Sequence, residues 1–404
     1  MANVSSSNGL EKRPKLRFPG FDEPWKAIHL SDVGEASSGF GFPDAYQGEE
    51  TSEIPFYKVS DMNLPKNIKV MQQANNYVSQ STVKKLRVRP FFEDAIVFAK
   101  VGAAISHERK RIALSPFLID NNMMAFTPKQ KEDLEFIYHL FQKIKLSKYS
   151  QVGALPSYNA SDILDIRTFY PTSGNERKKI VTILSLVDNR IEKQSEIINN
   201  LKKYKRGLNH KLIFEIDEQY NRELGTVCSI VGGGTPDTLR PEYWEGNVEW
   251  FTPSEIGNSK YVLSSIRKIS RIGLSNSSAK LLPAGTVLLT TRATLGEMSI
   301  ARSECSTNQG FQSLVADSKR VLPEYLYYLQ ILIKPWCEKY ASGNTFREIS
   351  KASLSKCVVP IPDLNSQKSI VCMLSLTDDF IETQEKVEDS LKQIKEGLLQ
   401  QLFI

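Results

Sequence analysis

The sequence repeats itself, and this repeat restricts the possible folds more than any other feature of the chain. The stretch RKKIVTILSLVDNRIEKQ begins at Arg177, and QKSIVCMLSLTDDFIETQ begins at Gln367. Shorter matches precede both stretches in the same order: IPFYKVSDM with VEWFTPSEI, DAIVFAKVGAAI with GTVLLTTRATLGEMSI, DNNMMAF with TNQGFQS, and EFIYHL with EYLYYL. Each second copy follows about 190 residues after the first. We therefore expect two copies of one structural plan.

The similarity between the two halves is uneven. Over residues 180–212, about fifteen of thirty-three residues are identical to their counterparts, whereas the preceding part of each half shares little beyond the short matches. Each half therefore combines a shared helix with a divergent globular module. One interpretation is an old duplication that has drifted. The other is a common helical scaffold whose two modules do different jobs.

The shared helices carry apolar residues at alternating steps of four and three, which is typical of the heptad seam of a left-handed coiled coil. Each helix has roughly 40 residues and is therefore about 60 Å long. An apolar stripe of that length requires a partner. The predicted pairing positions are Ile180, Leu184, Val187, Ile191, Gln194, Ile198, Leu201 and Leu208 in the first helix, and Ile370, Leu374, Ile381, Gln384, Leu391 and Leu398 in the second.

The charges of the two helices favour pairing with each other. Residues 173–214 include ten basic and four acidic residues, and residues 364–404 include four basic and seven acidic residues. Because a whole module separates the helices, we expect an antiparallel pair with pseudo-twofold symmetry. Gln194 and Gln384 would then lie close together near the pseudo-dyad, where a buried polar pair would determine the register. The alternative is that both glutamines are solvated.

The modules have the pattern of a mixed α+β fold. AIVFAK and TVLLTT are typical of strands, GGGTPDT is typical of a loop, and KEDLEFIYHLFQKI is typical of an amphipathic helix. The predicted organisation is a flexible leader (residues 1–20), module 1 (21–172), a central helix (173–216), module 2 (217–363) and a C-terminal helix (364–404).

Composition restricts the class of protein. The 404 residues have a net charge of +6, and no apolar run of 18 residues is present, so we expect a cytoplasmic protein without a membrane partner. The five cysteines form no CxxC pair and the four histidines have no metal-ligand spacing, so we expect no metal site.

Two modules on a rigid helix pair suit a long polymer that carries two short marks at a constant separation, and double-stranded DNA is such a polymer. Arg reads guanine, and Asn or Gln reads adenine, by paired hydrogen bonds. The candidate DNA contacts in module 1 are Lys84, Lys85, Arg87, Arg89, His107, Arg109, Lys110 and Arg111. Those in module 2 are Thr235, Arg267, Lys268, Arg271, Arg292, Thr294, Asn308, Gln309 and Arg347. For any such charge run, the plain alternative is a solvated surface.

An ordered set of motifs resembles the specificity subunits of type I restriction-modification systems. The motifs are KLRFPGFDEPW, GGGTPDTLRPEYWEGNVEWFTPSEI, SSAKLLPAGTVLLTTRATLG, STNQGF, SGNTFREISKASLSK and the proline–helix stretch that occurs twice. The resemblance covers nearly the whole chain from Leu16. The Glu-Gln pair that usually opens each long helix of the family is replaced here by Glu176-Arg177 and Ser366-Gln367.

This resemblance implies a non-catalytic subunit with two target recognition domains, each of which reads one half of an interrupted, asymmetric DNA sequence. The helices would set the spacer and bind two methyltransferase subunits, and motor-nuclease subunits would complete the complex. S-adenosylmethionine, ATP and Mg would be bound by those partners, with no cofactor in this chain.

Two other classes of function stay open at this point. A self-contained nuclease or methyltransferase would require a catalytic motif, but the sequence has no GxxxxGK[ST] loop and no Asn/Asp-Pro-Pro-aromatic motif. IPDLNSQK is better explained as the turn and cap before the last helix. A coiled-coil interaction scaffold without sequence-specific DNA binding is the second alternative.

Overall fold

The computed structural model describes residues 13–151, 155–292, 294–343 and 347–404. The chain divides into two compact units. Unit 1 comprises residues 1–194 and 387–404, and unit 2 comprises residues 195–386. The two long helices are α5 (Gly174–Phe214) and α10 (Leu364–Leu402). Each is divided between the units, with one segment in unit 1 and one in unit 2.

Unit 1 contains ten strands and four short helices among the residues described. The strands are β1 (Lys26–His29), β2 (Gly34–Ser38), β3 (Ile54–Tyr57), β4 (Val70–Met71), β5 (Tyr77–Val78), β6 (Ala95–Ala99), β7 (Lys110–Ala113), β8 (Leu118–Ile119), β9 (Met123–Pro128) and β10 (Arg167–Tyr170). The helices are α1 (Leu30–Val33), α2 (Gln80–Leu86), α3 (Leu134–Lys143) and α4 (Ala160–Leu164).

Unit 2 also contains ten strands and four short helices within its described residues. The strands are β11 (Asn221–Glu223), β12 (Cys228–Gly232), β13 (Trp244–Phe251), β14 (Tyr261–Val262), β15 (Arg267–Ile269), β16 (Val287–Leu289), β17 (Met298–Ala301), β18 (Cys305–Thr307), β19 (Gln312–Ala316) and β20 (Val358–Pro360). The helices are α6 (Arg271–Ser275), α7 (Pro323–Tyr328), α8 (Gln330–Tyr340) and α9 (Lys351–Ser355).

The sheets of the two units have the same topology. Unit 1 has a five-stranded sheet β2-β9-β6-β7-β4, a three-stranded sheet β5-β3-β8 and the pair β1-β10. Unit 2 has β12-β19-β16-β17-β14, β15-β13-β18 and β11-β20, so every strand has a counterpart ten places later. The parallel pairs correspond as well: β3·β8 with β13·β18, and β4·β7 with β14·β17. The predicted duplication and α+β class are confirmed, although the modules share little sequence.

The five-stranded sheet of each unit is buried on both faces. In unit 1, Ile96 and Phe98 of β6 pack with α3 and the long helices, whereas their neighbours Ala95 and Val97 pack towards the three-stranded sheet. This alternation is the period of two expected of a strand. In unit 2 the corresponding strand β16 directs Val287 and Leu289 to one side and Leu288 to the other. Each module is therefore layered, with the three-stranded sheet on the side away from the helices.

The long helices pair within each unit. In unit 1, Ile180 and Leu184 of α5 share a core with Leu399 and Leu402 of α10. In unit 2 the order is reversed, because residues near the end of α5, including Ile213, share a core with Ile370 and Leu374. Further along α5 the partners move back along α10, to Asp188–Lys395 in unit 1 and from Lys202–Glu385 to Lys205–Asp378 in unit 2, so within each unit the segments are antiparallel, as predicted.

The predicted seam is turned away from solvent throughout. All fourteen positions are buried or half-buried, and the buried ones are Ile180, Leu184, Gln194, Ile198, Ile370, Leu374 and Ile381. Gln194 is 2% exposed, so the alternative of two solvated glutamines is wrong for this residue. Its proximity to Gln384 stays a prediction.

Both long helices begin at capped turns. Asp363 Oδ1 accepts hydrogen bonds from the amides of Asn365 and Ser366, at 2.9 and 3.1 Å, so IPDLNSQK is a turn and cap as predicted. Ser173 occupies the same position before α5, where its Oγ accepts a bond from the Glu176 amide at 3.4 Å. Capping satisfies amides that have no partner inside the helix.

The predicted flexible leader needs a correction at its end. Residues 1–12 lie outside the described residues. The Leu16 amide, however, donates a 2.9 Å hydrogen bond to the Gln401 carbonyl, and Arg17 forms an ion pair with Glu176. Arg17 is the cationic partner of the buried Glu176 carboxylate, and the Leu16 amide is bonded to α10. Residues 16 and 17 are therefore held in unit 1.

Candidate nucleic-acid interface

The basic run of module 1 lies at the end of a short helix on the outer sheet. Ser79 caps α2 by accepting a hydrogen bond from the Thr82 amide at 3.2 Å, and Val83 packs on the three-stranded sheet. The helix ends where Arg87 adopts a left-handed conformation with φ of 53°. The four basic side chains of this run are all exposed: Lys84, Lys85, Arg87 and Arg89. Among the described residues, none of the four has an ion-pair partner, so the group is available to phosphates.

Module 2 repeats this strand–cap–helix arrangement at the equivalent place. Strand β15 is followed by Ser270, whose Oγ accepts a bond from the Gly273 amide at 3.0 Å and so caps α6. The basic residues of this segment are Arg267 and Lys268 in the strand and the exposed Arg271 at the first position of the helix. The two charge runs therefore lie in corresponding strand–cap–helix segments, at the end of the helix in module 1 and around its start in module 2.

Arg267 is held on an aromatic shelf. Its guanidinium lies 3.7 Å from the ring centre of Trp244 and 5.6 Å from that of Trp250. The two indole rings are themselves perpendicular, at 87°. A guanidinium stacked on an indole loses conformational freedom but keeps its N–H edge, which is the edge that reads guanine or phosphate.

Lys268 is bound to a neighbouring carboxylate. Its Nζ is 2.6 Å from Glu249, whose Oε2 also accepts hydrogen bonds from the Ser265 amide and hydroxyl. Burial opposes ionisation of Glu249, but the bonds from Lys268 and Ser265 outweigh it and lower its pKa. Lys268 is thus partly neutralised, and Arg267 is the stronger candidate for contact with DNA.

A glycine-rich loop meets the end of β18 beside this shelf. A Cβ on Gly233 would lie 2.0 Å from the Asn308 carbonyl oxygen, so only glycine permits this approach. Gly39 makes the same approach to Asp120 in module 1, also at 2.0 Å. The contact brings the exposed Thr235 and Gln309 together, with Thr235 Oγ1 donating to Gln309 Oε1 at 2.5 Å. Trp250 connects this loop to the shelf, because its Nε1 donates to the Gly234 carbonyl at 2.9 Å.

The remaining candidates of module 2 differ in how far their side chains are free to contact DNA. Asn308 uses its Oδ1 to accept a 2.8 Å bond from the Gly310 amide, so its side chain shapes the loop. Arg292 forms a 2.8 Å ion pair with Glu348. Arg347 is exposed and donates to the Glu338 carbonyl, and Thr294 is exposed in a tight turn. The structure places Thr235 and Gln309 directly together, with Arg267 linked to them through Trp250.

The second basic group of module 1 is only partly at the surface. His107 is exposed and Arg109 is half-buried. Lys110 is 2% exposed and donates to Glu108 at 2.5 Å and to the Ile144 carbonyl at 3.0 Å. Arg111 donates to the Asn67 carbonyl at 2.5 Å and to the Lys110 carbonyl at 3.0 Å. The prediction of DNA contact is wrong for Lys110 and is not supported for Arg111, because strand β7 directs both side chains into internal hydrogen bonds.

Lys100 is a candidate of this interface that sequence reasoning missed. This residue follows β6, its amide donates to the Asn122 carbonyl at 2.8 Å, and its Nζ donates to Ser38 Oγ at 2.9 Å. Lys100 is the counterpart of Thr291 in module 2. It lies next to the loop that corresponds to the loop of Asn308 and Gln309. The repeat match between DAIVFAK and GTVLLTT contained the signal, since it places Lys100 one residue before the position of Arg292.

Among the described residues, no group of three or more His, Cys, Asp or Glu side chains could hold a metal ion. Burial raises the pKa of Cys228, Cys305, Cys337 and Cys357 to about 12, so these thiols stay protonated at neutral pH and are poor nucleophiles. Nor does any helix in this part of the chain have the length and apolar character needed to cross a membrane.

The duplicated α+β units, which carry unlike exposed residues in corresponding segments, are the architecture of a recognition protein with two reading units on paired helices. The sequence model of the type I restriction modification DNA specificity domain matches residues 22–203 and again residues 217–393. The chain therefore belongs to this family.

Relatives share moderate sequence identity. The chain is 33% identical to the type I restriction enzyme MjaIX specificity subunit of Methanocaldococcus jannaschii over 187 residues, which is 45% of this chain and 43% of that subunit. It is 24% identical to the EcoR124I/EcoR124II specificity subunit of Escherichia coli, over 82% of this chain and 87% of that subunit. The first match thus spans less than half of the relative's length, and the second spans most of it.

Solved structures agree in fold. The S subunit of a type I restriction-modification system from M. genitalium matches with a TM-score of 0.55, covering 97% of this chain and 99% of that chain at 15% identity. A chain from a study of complex assembly and conformational transition of the type I R-M system matches with a TM-score of 0.57, covering 95% and 98% at 18% identity.

Proposed function

We propose that this chain is the DNA-recognition subunit of a type I restriction-modification complex, and that each module reads one half of a bipartite, asymmetric target in double-stranded DNA. The observation that carries this proposal is the identical ten-strand topology of the two units, in which corresponding strand–cap–helix segments carry unlike exposed residues. A shared scaffold keeps the manner of DNA approach the same, and unlike side chains give unlike sequences.

The chemistry of each surface supports a division between phosphate contact and base reading. The exposed Lys84, Lys85, Arg87 and Arg89 suit phosphates, since each lysine or arginine releases counterions when it neutralises one. The stacked Arg267 and the exposed Gln309 suit base edges, since both present paired hydrogen-bonding groups in restricted positions.

Partner subunits of the complex would bind the long helices. Outside the seam, α5 and α10 expose large apolar side chains at positions that correspond in the repeat. The pairs are Leu186 with Leu376 (63% and 64% exposed), Ile197 with Val387 (40% and 38%) and Tyr204 with Ile394 (61% and 52%). Exposed apolar residues in a repeated pattern mark an interaction surface. We assign one such surface in each unit to one methyltransferase subunit, and motor-nuclease subunits would join the assembled complex.

The chemistry of modification and cleavage would then belong to the partners. S-adenosylmethionine would serve the methyltransferase subunits, and ATP and Mg would serve the motor-nuclease subunits, in the cytoplasm where the chromosome lies. This chain would contribute the choice of sequence and would be catalytically silent by itself.

The test is methylation mapping of the host genome with and without the gene. The expected result is a bipartite motif that is methylated in the parent strain and unmethylated in the deletion strain. Exchange of residues 23–172 for the module of another family member should change one half of the motif and leave the other unchanged. An unaltered methylation map in the deletion strain would refute the proposal.

A further inference from the structure

An ionic group joins the module of unit 1 to both long helices. Lys69, which immediately precedes β4, places its Nζ 2.6 Å from Glu135 of α3 and 3.8 Å from Asp188 Oδ2 of α5. The other oxygen of Asp188 is 2.6 Å from Lys395 Nζ of α10. The side chain of Asp188 is 11% exposed and that of Lys395 is 21% exposed. One carboxylate therefore bonds the partner helix directly and faces a lysine of the module.

Unit 2 contains an ionic group of the same design. Asp378 of α10 forms an ion pair with Lys205 of α5 and accepts a 2.6 Å hydrogen bond from the Tyr328 hydroxyl of α7. Lys260, which immediately precedes β14, donates to Tyr328 Oη at 2.9 Å and to Ser375 Oγ of α10 at 2.7 Å. Burial lowers the pKa of Lys260, and the charge of Asp378 opposes this shift. The carboxylate again lies between a lysine of the other helix and polar groups of the module.

Three residues of each group correspond in the repeat, and Tyr328 is an additional member in unit 2. Asp188 and Asp378 occupy equivalent positions of the helices, as do Lys205 and Lys395. Lys69 and Lys260 both immediately precede the strand that ends the five-stranded sheet, β4 or β14. The modules share a fold but little sequence beyond short matches, so a function common to both units is the simplest reason for the shared arrangement.

We propose that the Lys69–Asp188–Lys395 group and the Lys260–Tyr328–Asp378–Lys205 group are positioning elements that hold each module at one orientation on its helix pair and so restrict the spacer length that the protein accepts. This inference rests on the proposed function. Apolar packing is non-directional and tolerates small rotations. In unit 2 the carboxylate of Asp378 is tied to the module by a hydrogen bond, which depends on distance and angle, and in unit 1 Asp188 is tied to Lys69 by a 3.8 Å ion pair.

DNA geometry makes orientation matter. One added base pair moves a half-target by about 3.4 Å and rotates it by about 35°, since one turn of about 10 base pairs spans about 34–36 Å. A module that cannot rotate on its helices cannot follow that change. A module released from its ionic group can follow it in part.

The test uses the complex purified with its partner subunits and duplexes that carry the mapped target. Dissociation constants are measured for the native spacer and for spacers one base pair longer or shorter. Asp188→Asn and Asp378→Asn should each reduce the preference for the native spacer about threefold, and the double variant about tenfold, with smaller losses on the native target.

Two controls separate positioning from stability. Lys202→Met removes a 2.6 Å ion pair with Glu385 that joins the same two helices without a module residue, and it should leave the spacer preference unchanged. Asp378→Glu keeps the charge and should keep most of the preference even where Asp378→Asn unfolds.

Three outcomes would overturn the inference. One is a double variant that binds every spacer more weakly by a common factor. Another is a Lys202→Met variant that loses the preference as far as the aspartate variants do. A wild-type complex with a single, uninterrupted target would instead refute the proposed function, and the positioning role with it.

Discussion

Arg17 and Glu176 are 159 residues apart in the chain and form a two-point ion pair in unit 1. Arg17 Nε lies 2.7 Å from Oε1 and Nη2 lies 3.0 Å from Oε2, and Trp25 Nε1 donates to the same carboxylate at 3.2 Å. The side chain of Glu176 is 2% exposed. The carboxylate at the start of α5 thus binds the segment that precedes module 1.

Glu176→Gln should destabilise unit 1 by about 2–3 kcal/mol, because it leaves the guanidinium of Arg17 without its charge partner in a largely buried site. Urea unfolding followed by tryptophan fluorescence measures the change. Arg240→Met is the matched control, since the Arg240–Glu242 pair is 59% and 52% exposed and should contribute less than about 0.5 kcal/mol. Equal effects of the two substitutions would contradict the structural role of Glu176.

The basic run after α2 predicts the salt dependence of DNA binding. Replacement of Lys84, Lys85, Arg87 and Arg89 by alanine should weaken binding to all sequences alike. The slope of log K against log salt should fall by about 0.9 for each phosphate contact removed. Fluorescence anisotropy of the complex across a sodium chloride series gives the slope. Lys110→Met should leave the slope unchanged and lower stability, because Lys110 is internal.

Arg267 should determine part of one half-target. Arg267→Lys keeps the charge but loses the flat stack on Trp244 and the paired donors, so binding to the cognate half should weaken by about 1–3 kcal/mol. Arg320→Lys is the control, because Arg320 lies beside Asp317 and bonds the Thr226 carbonyl. Duplexes altered in one half at a time locate the effect; a loss in both halves would contradict independent modules.

His139 should make unit 1 sensitive to mild acid. The residue is fully buried, neither ring nitrogen has a hydrogen-bond partner among the described residues, and burial with the charges of Lys395 and Lys69 lowers its pKa to about 3. The unfolded chain binds a proton below about pH 6.5, whereas the folded chain does not until about pH 3, so stability falls as pH drops through that window.

His139→Phe should remove that sensitivity, which amounts to at most about 1.4 kcal/mol for each pH unit below 6. Thermal unfolding of both proteins between pH 5 and 8 measures it. A wild-type pH profile that the substitution leaves unchanged would show that His139 is not the titrating group.

The exposed helix surface should be needed for assembly. Leu376→Glu together with Leu186→Glu should abolish binding of the methyltransferase subunits, with little effect on the thermal stability of the chain, because both side chains are already in water. Leu239→Glu is the control, since Leu239 is 88% exposed but lies in module 2. Size-exclusion chromatography with light scattering reports the assembly, and a complex of unchanged mass would refute the assignment of this surface.

Several features could be predicted because they depend on nearby residues. The heptad steps predicted which residues of α5 and α10 avoid solvent, since helical periodicity places every third or fourth residue on one face. The Asp363 turn was predictable for the same reason, because a cap acts over three residues. The strand patterns of AIVFAK and TVLLTT correctly placed β6 and β16.

The candidate site was predictable as residue types but not as geometry. Lys84 and Lys110 are alike as letters in basic runs, yet one is exposed and the other is buried against Glu108 and Ile144. Which side of a strand faces the interior follows from its register with neighbours distant in the chain. The repeat match alone could have pointed to Lys100, but its place beside Asn122 arises only when β6 pairs with β9.

The sequence by itself therefore determined the duplication, the paired helices and the α+β class, because a repeat, a heptad period and a cap can be recognised from residue order without any tertiary contact. Only the tertiary structure decided that divergent modules share one ten-strand topology, that Arg267 rests on Trp244, and that Asp188 and Asp378 occupy matching ionic groups. Those relationships join residues far apart in the chain. The free energy of these contacts depends on burial and on the distance between the side chains, and both are set only in the folded chain.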